Sequence, residues 1–203
     1  MFKHAFLTNY RNQTRQSYRL VYEDPQNCCV VAGMTDMQAA VEYVKKLKEE
    51  DFRRIDLGRQ FSERDVIELR KAAGEDITVS GLSYNINELI RLGSGPKTRR
   101  RGIMIHADGL DSVYEMLMDR GSERLNVVLV SNMADARKAA RSLVDRQIEL
   151  IHLCSWFDIL KYESIIKAID YRVPVGTCGE MDPDKLCDLD EGDMYCNPIN
   201  HMV

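Results

Sequence analysis

An internal repeat constrains this 203-residue chain more than any other feature of its sequence. One frame of apolar positions occurs twice, as RIDLGRQF from Arg54 to Phe61 and as LIHLCSWF from Leu150 to Phe157. At a constant offset and without a gap, matching residues continue on both sides: Met37 and Met133, Ala40 and Ala136, Leu47 and Leu143, Ile55 and Ile151, Leu57 and Leu153, Phe61 and Phe157, Ala72 and Ala168, and Val79 and Val175. A short slip upstream aligns HAFLTN (4–9) with IMIHAD (103–108). The sequence therefore predicts two tandem copies of one structural module.

The seam between the copies is the segment LGSGPKTRRRG, from Leu92 to Gly102. Its glycines and proline oppose regular structure, and its basic residues keep it in water. We therefore expect a first repeat over residues 1–93, a linker over 94–101, and a second repeat over 102–203 that ends in an acidic tail.

The periodicity within each copy predicts alternating strands and helices. Four short runs, CCVVAG, DITVSG, NVVLVS and RVPVGT, are apolar on both faces, as in parallel strands that helices cover on both sides. Between them, apolar stripes predict helices around Ala40, Val44 and Leu47; Val66, Leu69 and Ala73; Ala136, Ala140, Leu143 and Val144; and Tyr162, Ile165 and Ile169. The fold class is α/β, with four βα units in each copy and mainly parallel strands. The eight strands would either close into a small (βα)8-like barrel or form two docked half-sheets.

Two segments have an ambiguous period. SYRLVYED (17–24) alternates like a strand, but its counterpart DSVYEMLMDRG (111–121) places Val113, Tyr114, Leu117 and Met118 on one helical face, with Asp111 as a cap and Gly121 as a stop. We therefore predict a helix in both copies. A further short helix is expected after Asn85, and another at Asp182–Pro183.

Composition and charge narrow the function classes. A formal net charge of −4 provides no basic face for nucleic acid. No stretch approaches the length of a membrane span, and the amino terminus becomes polar too early for a signal peptide. The six cysteines are expected to be reduced thiols, since adjacent Cys28 and Cys29 point to opposite faces of a strand. We therefore expect a cytoplasmic protein without a nucleic-acid or membrane partner.

The repeated frame itself is half polar. In the first copy Ile55 and Leu57 alternate with Arg54 and Asp56, and His152 takes the place of Asp56 in the second copy. Such a strand shows one face to water, a polar cavity or a partner. The end of the frame differs between copies, Gly-Arg-Gln against Cys-Ser-Trp, which predicts that the two copies no longer share one role there.

The chain resembles a family of short bacterial and archaeal α/β proteins that is classed as a domain of unknown function. The resemblance is carried by MFKHAF at the start, LIHLCSWF in the middle and VPVGT (173–177) near the end. Proteins of that family are about one repeat long, so the resemblance implies a covalent pseudo-dimer that is monomeric or weakly associating. The family more often has an acidic residue at the place of His152 and a glycine pair at the place of Ser155 and Trp156. It implies no activity.

Candidate catalytic residues follow the strands of the second copy, because parallel α/β folds bind ligands at the carboxyl ends of their strands. His106 and Asp108 lie two residues apart, where a carboxylate can tune an imidazole for acid or base chemistry. Cys178 precedes a capped helix, a position that favours a nucleophilic thiolate. Glu180 is a further acid or base. Buried inert cysteines and solvated carboxylates are the alternative interpretation.

Candidate ligand-binding residues lie at the same strand ends. The segment GTCGEMDP (176–183) joins a strand to a helix start and could bind an anion through backbone amides. Trp156, the only tryptophan, could stack on a ligand. The ligand-binding set is Asn132, Cys154, Trp156, Thr177 and Gly179.

No metal site is predicted. Cys178, Cys187, Cys196 and His201 offer zinc-ligand chemistry, but their spacing lacks the close cysteine pairs of a structural site. The acidic tail lacks the ordered pattern of a calcium loop. No cofactor is identified.

The sequence as a whole predicts a protein that binds a small polar or anionic metabolite at the strand ends of the second copy. Acid/base catalysis there rests on fold analogy alone. The alternative is a non-catalytic interaction protein that uses its pseudo-two-fold surface.

Overall fold

The computed structural model describes residues 1–9, 18–94, 100–119, 121, 123–182 and 184. The first unit, residues 1–94, contains one five-stranded sheet. Its strands are β1 (Phe2–Asn9), β2 (Arg19–Glu23), β3 (Asn27–Met34), β4 (Arg54–Leu57) and β5 (Thr78–Gly81). They lie in the order β2-β3-β1-β4-β5, with β1, β3, β4 and β5 parallel and β2 antiparallel to β3.

The second unit, from residue 100 onward, contains the other five-stranded sheet. Its strands are β6 (Arg100–His106), β7 (Tyr114–Asp119), β8 (Arg124–Val130), β9 (Leu150–Leu153) and β10 (Val175–Thr177). They lie in the order β7-β8-β6-β9-β10, and β7 is antiparallel to β8. Strand order and strand sense are therefore the same in both units.

The described residues contain five helices. They are α1 (Met37–Glu49), α2 (Glu63–Ala73), α3 (Ile86–Ser94), α4 (Met133–Asp145) and α5 (Ile159–Ala168). Four of these helices, α1, α2, α4 and α5, lie where the apolar stripes predict them. Short polar side chains begin four of them by accepting a backbone N–H: Asp36, Ser62, Asn132 and Asp158. The helix expected after Asn85 is confirmed as α3, whereas the one expected at Asp182–Pro183 lies mainly outside the described residues.

The helices predicted at 17–24 and 111–121 are wrong, because both segments contain strands, β2 and β7. In β7, Met116 and Met118 are buried while Glu115 and Leu117 are exposed, which is the alternation of a half-buried strand. A helix would have placed Leu117 and Met118 together on the buried side. Each sheet consequently has four parallel strands and one antiparallel edge strand, so the described chain has ten strands rather than eight.

The two sheets pack face to face. Alternate residues of the first sheet separate into two cores: Leu7 and Val30 pack with α1 and α2, while Phe6, Cys29 and Val31 pack into the core of the second unit. The described strands thus form two open sheets, and closure into one barrel is not found.

The end of the first unit also contacts the second unit. Ser83 and Thr177 exchange backbone hydrogen bonds, and the buried Glu88 of α3 accepts one from the backbone N–H of Val175 at 2.8 Å. No described helix has the length and apolar composition needed to cross a bilayer.

Candidate ligand-binding site

A cavity of about 240 Å³ lies between the two units. Three of its lining residues come from the first unit and four from the second: Phe2, His4 and Arg54, and His106, Asp108, Cys154 and Trp156. We call it the inter-sheet cavity. His4 and Arg54 lie near the amino ends of β1 and β4, whereas His106 ends β6 and Cys154 follows β9. The cavity therefore forms where amino ends of one sheet face carboxyl ends of the other.

One wall of the cavity is a buried polar cluster. His4 Nε2 lies 2.7 Å from Asp56 Oδ2, and the backbone N–H of Ser155 donates to the same oxygen at 2.7 Å. The Asp56 side chain is fully buried, and its Oδ1 has no hydrogen-bond partner among the described residues. Cys154 is also buried, and its Sγ accepts the backbone N–H of His106 at 3.3 Å. This cluster combines side chains from both units.

A stacked pair, His106 and Trp156, also lines the cavity, with ring centroids 4.0 Å apart and planes 8° from parallel. The Nε2 of His106 lies 3.3 Å from the Ser131 carbonyl and 3.5 Å from a carboxylate oxygen of Asp108. Because a carbonyl can only accept, Nε2 carries a proton, and the lone pair of the neutral ring is on Nδ1. Burial lowers the pKa of His106, and the Asp108 carboxylate opposes that shift. His106 therefore offers an acceptor at neutral pH.

Arg54 supplies the positive charge of the cavity. Its guanidinium lies 5.7 Å from the centroid of the Phe2 ring. Among the described residues it forms no ion pair, in contrast to two of the three arginines of a larger cavity of about 690 Å³ at the amino ends of β6 and β8. In that cavity Arg124 bonds Asp119 at 2.7 Å, and Arg172 bonds Asp145 at 3.2 Å. The third arginine of that cavity, Arg100, donates to the Gln147 side chain at 2.6 Å, so Arg54 is the arginine of these two cavities for which the described residues supply neither an ion pair nor a side-chain hydrogen bond.

Four of the residues predicted from the sequence line the inter-sheet cavity: His106, Asp108, Cys154 and Trp156. The other predicted residues lie elsewhere. Asn132 is the N-cap of α4. Thr177 is fully buried, where its hydroxyl donates to the Phe157 carbonyl at 2.6 Å. Gly179 packs so tightly that a Cβ would lie 1.9 Å from that same carbonyl oxygen. These three residues serve local structure.

The two remaining candidates for catalysis do not line the cavity. Cys178 is buried, its Sγ lies 3.6 Å from the Leu57 carbonyl, and burial raises the pKa of its thiol well above the ordinary value. Glu180 is exposed on the surface. Burial also raises the pKa of Cys154, to about 12, so neither thiol is activated as a nucleophile.

Sequence reasoning missed Phe2, His4, Arg54 and Asp56. The alternation of Arg54 and Asp56 in the half-polar frame was a signal for two of them. Phe2 and His4 are two residues apart on β1, as Arg54 and Asp56 are on β4, so each pair shares one face of its strand. Phe2 and His4 lie at the amino end of β1, however, whereas ligands of parallel sheets usually bind at the carboxyl ends of the strands.

Comparison with known proteins identifies one family and no activity. No curated protein matches the chain. The resemblance to an uncharacterised family is confirmed for the second unit, which supplies four of the seven residues that line the inter-sheet cavity. Residues 100–192 match the model of a family of unknown function, DUF6506.

Proposed function

We propose that the chain binds a small metabolite with an anionic group and a hydroxyl or amino group in the inter-sheet cavity. The observation that carries the proposal is the guanidinium of Arg54, which has no ion-pair partner among the described residues and faces a cavity with the acceptors His106 and Asp108. Arg54 would bind the anionic group. Asp108 and the Nδ1 of His106 would accept from the hydroxyl or amino group.

The size of the cavity limits the ligand. Drug-sized molecules occupy pockets of roughly 300–1,000 Å³, and the inter-sheet cavity is smaller, at about 240 Å³. A short hydroxy acid, an amino acid or a small phosphate ester suits this volume. Trp156, which lines the cavity, would supply an aromatic surface beside the ligand. A proton transfer at the bound ligand would use the neutral His106 as base.

We also propose that the chain is a tandem duplication folded as a covalent pseudo-dimer. The identical strand order of the two sheets supports this, as does the matching placement of β2 and β7 at the edges. The described cysteines, Cys28, Cys29, Cys154 and Cys178, are free, which supports a reducing compartment such as the cytoplasm. The alternative of an interaction protein has less support, because the inner strand faces cover each other.

The test is a thermal-shift and calorimetric screen of the full chain against short hydroxy acids, amino acids and phosphate monoesters. We expect at least one class to bind, and Arg54→Gln to weaken that binding by about 10–100-fold, the value of a charge-assisted hydrogen bond. Arg53→Gln is the matched control, since Arg53 is an exposed neighbour that does not line the cavity.

Two results would overturn the proposal. One is the absence of binding by every class in the screen at millimolar concentration. The other is binding that Arg54→Gln and Arg53→Gln weaken equally, because that would place the anion outside the cavity.

A further inference from the structure

We propose that His4, Asp56 and Cys154 form a binding site for one divalent transition-metal ion of the zinc class, at the wall of the inter-sheet cavity. The three side chains offer an imidazole nitrogen, a carboxylate oxygen and a sulfur, and these atoms lie within 4.8 Å of one another. Ligand atoms of a tetrahedral zinc ion are about 3.3–3.6 Å apart, from bond lengths of about 2.0–2.3 Å. One ion can therefore contact all three with small side-chain adjustments.

The burial of the cluster is an independent indication of a missing partner. All three side chains are almost completely buried, and Oδ1 of Asp56 has no hydrogen-bond partner among the described residues. Burying a carboxylate oxygen without a partner costs several kcal/mol in general. The contact with His4 satisfies only the other oxygen, Oδ2. A cation at this position would supply the partner that Oδ1 lacks among the described residues.

Hydrogen bonds around the cluster already orient two of the three ligands. The backbone N–H of Ser155 holds the Asp56 carboxylate, and the backbone N–H of His106 points to the sulfur of Cys154. Such outer contacts fix the geometry of metal ligands in proteins. Sulfur and imidazole ligands select zinc and its neighbours over magnesium and calcium.

The site would keep an open coordination position. His4 and Cys154 both line the inter-sheet cavity, so an ion that they hold would face its interior. Three protein ligands and one open position are the arrangement of catalytic zinc sites, in which water or substrate is the fourth ligand. This inference does not rest on the proposed function, since its donor atoms are separate from Arg54.

The chain has this donor set once among its described residues. Ala5 lies opposite Ile55, and Gly102 lies opposite Ile151 in the second sheet. By this register His4 corresponds to Arg101, so the alignment of 4–9 with 103–108 that the sequence predicts is wrong by two residues. The counterparts of Asp56 and Cys154 are His152 and Gly58. An arginine and a glycine cannot replace an imidazole and a thiolate as metal ligands, so we expect one ion per chain rather than two.

The test is a titration of the demetallated full chain with Co²⁺, followed by absorbance. We expect saturation at one equivalent, with the thiolate-to-cobalt charge-transfer band that only a sulfur ligand produces. Cys154→Ala should abolish the band, and Asp56→Asn should weaken binding at least tenfold. Cys28→Ala is the matched control, because Cys28 is a buried cysteine outside the cluster.

A measurement without a variant covers the case in which a substitution prevents folding. Zn²⁺ should slow alkylation of Cys154 in the native protein at least tenfold and leave Cys28 unaffected, as read by peptide mass spectrometry. The inference is overturned if the band is absent, if it survives Cys154→Ala, or if it disappears instead when Cys187 and Cys196 are both replaced by alanine. A cobalt band that Arg54→Gln leaves unchanged, combined with a failed metabolite screen, would refute the proposed function and support the metal site.

Discussion

Gly176→Ala should destabilise the protein, because the new methyl group, in the second unit, would collide with the Tyr84 ring of the first unit. A Cβ at Gly176 would lie 2.6 Å and 2.7 Å from ring carbons of Tyr84, where ordinary carbon contacts are about 3.5–4.0 Å. The Tyr84 ring must therefore move by about 1 Å. Its hydroxyl lies 3.2 Å from Nε2 of the buried His152, and this hydrogen bond would be lost with the movement.

The magnitude follows from two costs. Overpacking a dense core costs about 1–3 kcal/mol, and leaving a buried hydrogen-bonding group without a partner costs about 1–3 kcal/mol. We expect the free energy of unfolding to fall by about 2–5 kcal/mol, which lowers the Tm of a chain this long by roughly 5–15 °C. Urea denaturation followed by circular dichroism and thermal scans both measure this.

Gly93→Ala is the matched control for this substitution. Gly93 lies in α3, and a Cβ there would meet no atom within 4 Å. The same chemical change should raise the stability by about 0.5–1 kcal/mol, because alanine loses less backbone entropy than glycine in a helix.

A double-mutant cycle isolates the contact. Tyr84→Ala removes the ring that the new methyl group would meet, so Gly176→Ala should cost at least about 1 kcal/mol less in that background than in the wild type. A wild-type Tm for Gly176→Ala, or strictly additive effects of the two substitutions, would refute the packing of the two units against each other.

Three further predictions concern other parts of the molecule. The Tyr22 hydroxyl and the backbone N–H groups of Asn27 and Gln26 hold the pKa of Asp24 at about 2, below its ordinary 3.8. The carboxylate therefore adds stability that is present above pH 3.8 and is lost as the pH falls towards 2, so the Tm gap between wild type and Asp24→Asn should narrow over that range. Cys178 should react with iodoacetamide more than about tenfold slower in the native chain than in urea, since burial keeps its thiol protonated, and equal rates by peptide mass spectrometry would contradict this. Residues 100–203 expressed alone should form a homodimer by light scattering, because the sheet face that packs on the first unit would otherwise be exposed; a folded monomer would argue against this packing.

The sequence predicted most of the helices and parallel strands because their periodicity is set by burial within one unit. The stripe of Ala136, Ala140 and Leu143 in α4 is buried as expected. The period of β7 could not be assigned in the same way, because Met116 and Met118 are buried on its inner face and Leu117 is exposed on the other. An apolar residue on the exposed side makes a strand resemble a helix in sequence.

The candidate site could be predicted only in part, because a sequence shows the pattern within one unit and not the contact between two units. His106, Cys154 and Trp156 were found because they follow parallel strands, and that rule holds for any single sheet. His4 and Arg54 reach the cavity only because the first sheet presents its amino ends to the carboxyl ends of the second. That orientation depends on how the facing surfaces of the two sheets fit together, which cannot be predicted from the periodicity of either sheet. The sequence predicts ligand binding at Gly179, whereas the close contact with the Phe157 carbonyl explains why this position is a glycine.

Burying polar side chains between the two sheets costs free energy, and apolar contacts alone would be enough to hold the two units together. Phe6, Cys29 and Val31 already join the first sheet to the second through apolar contacts. Apolar residues at the positions of Asp56 and His4 would serve that purpose at least as well, because replacing a buried polar pair by packed hydrophobic side chains of similar volume is often neutral or stabilising. Asp56 instead keeps a buried oxygen for which the described part of the chain supplies no partner, beside a cavity. Both units line the inter-sheet cavity, so the site that we propose there needs both, and this would be a physical reason for one chain to carry the two units.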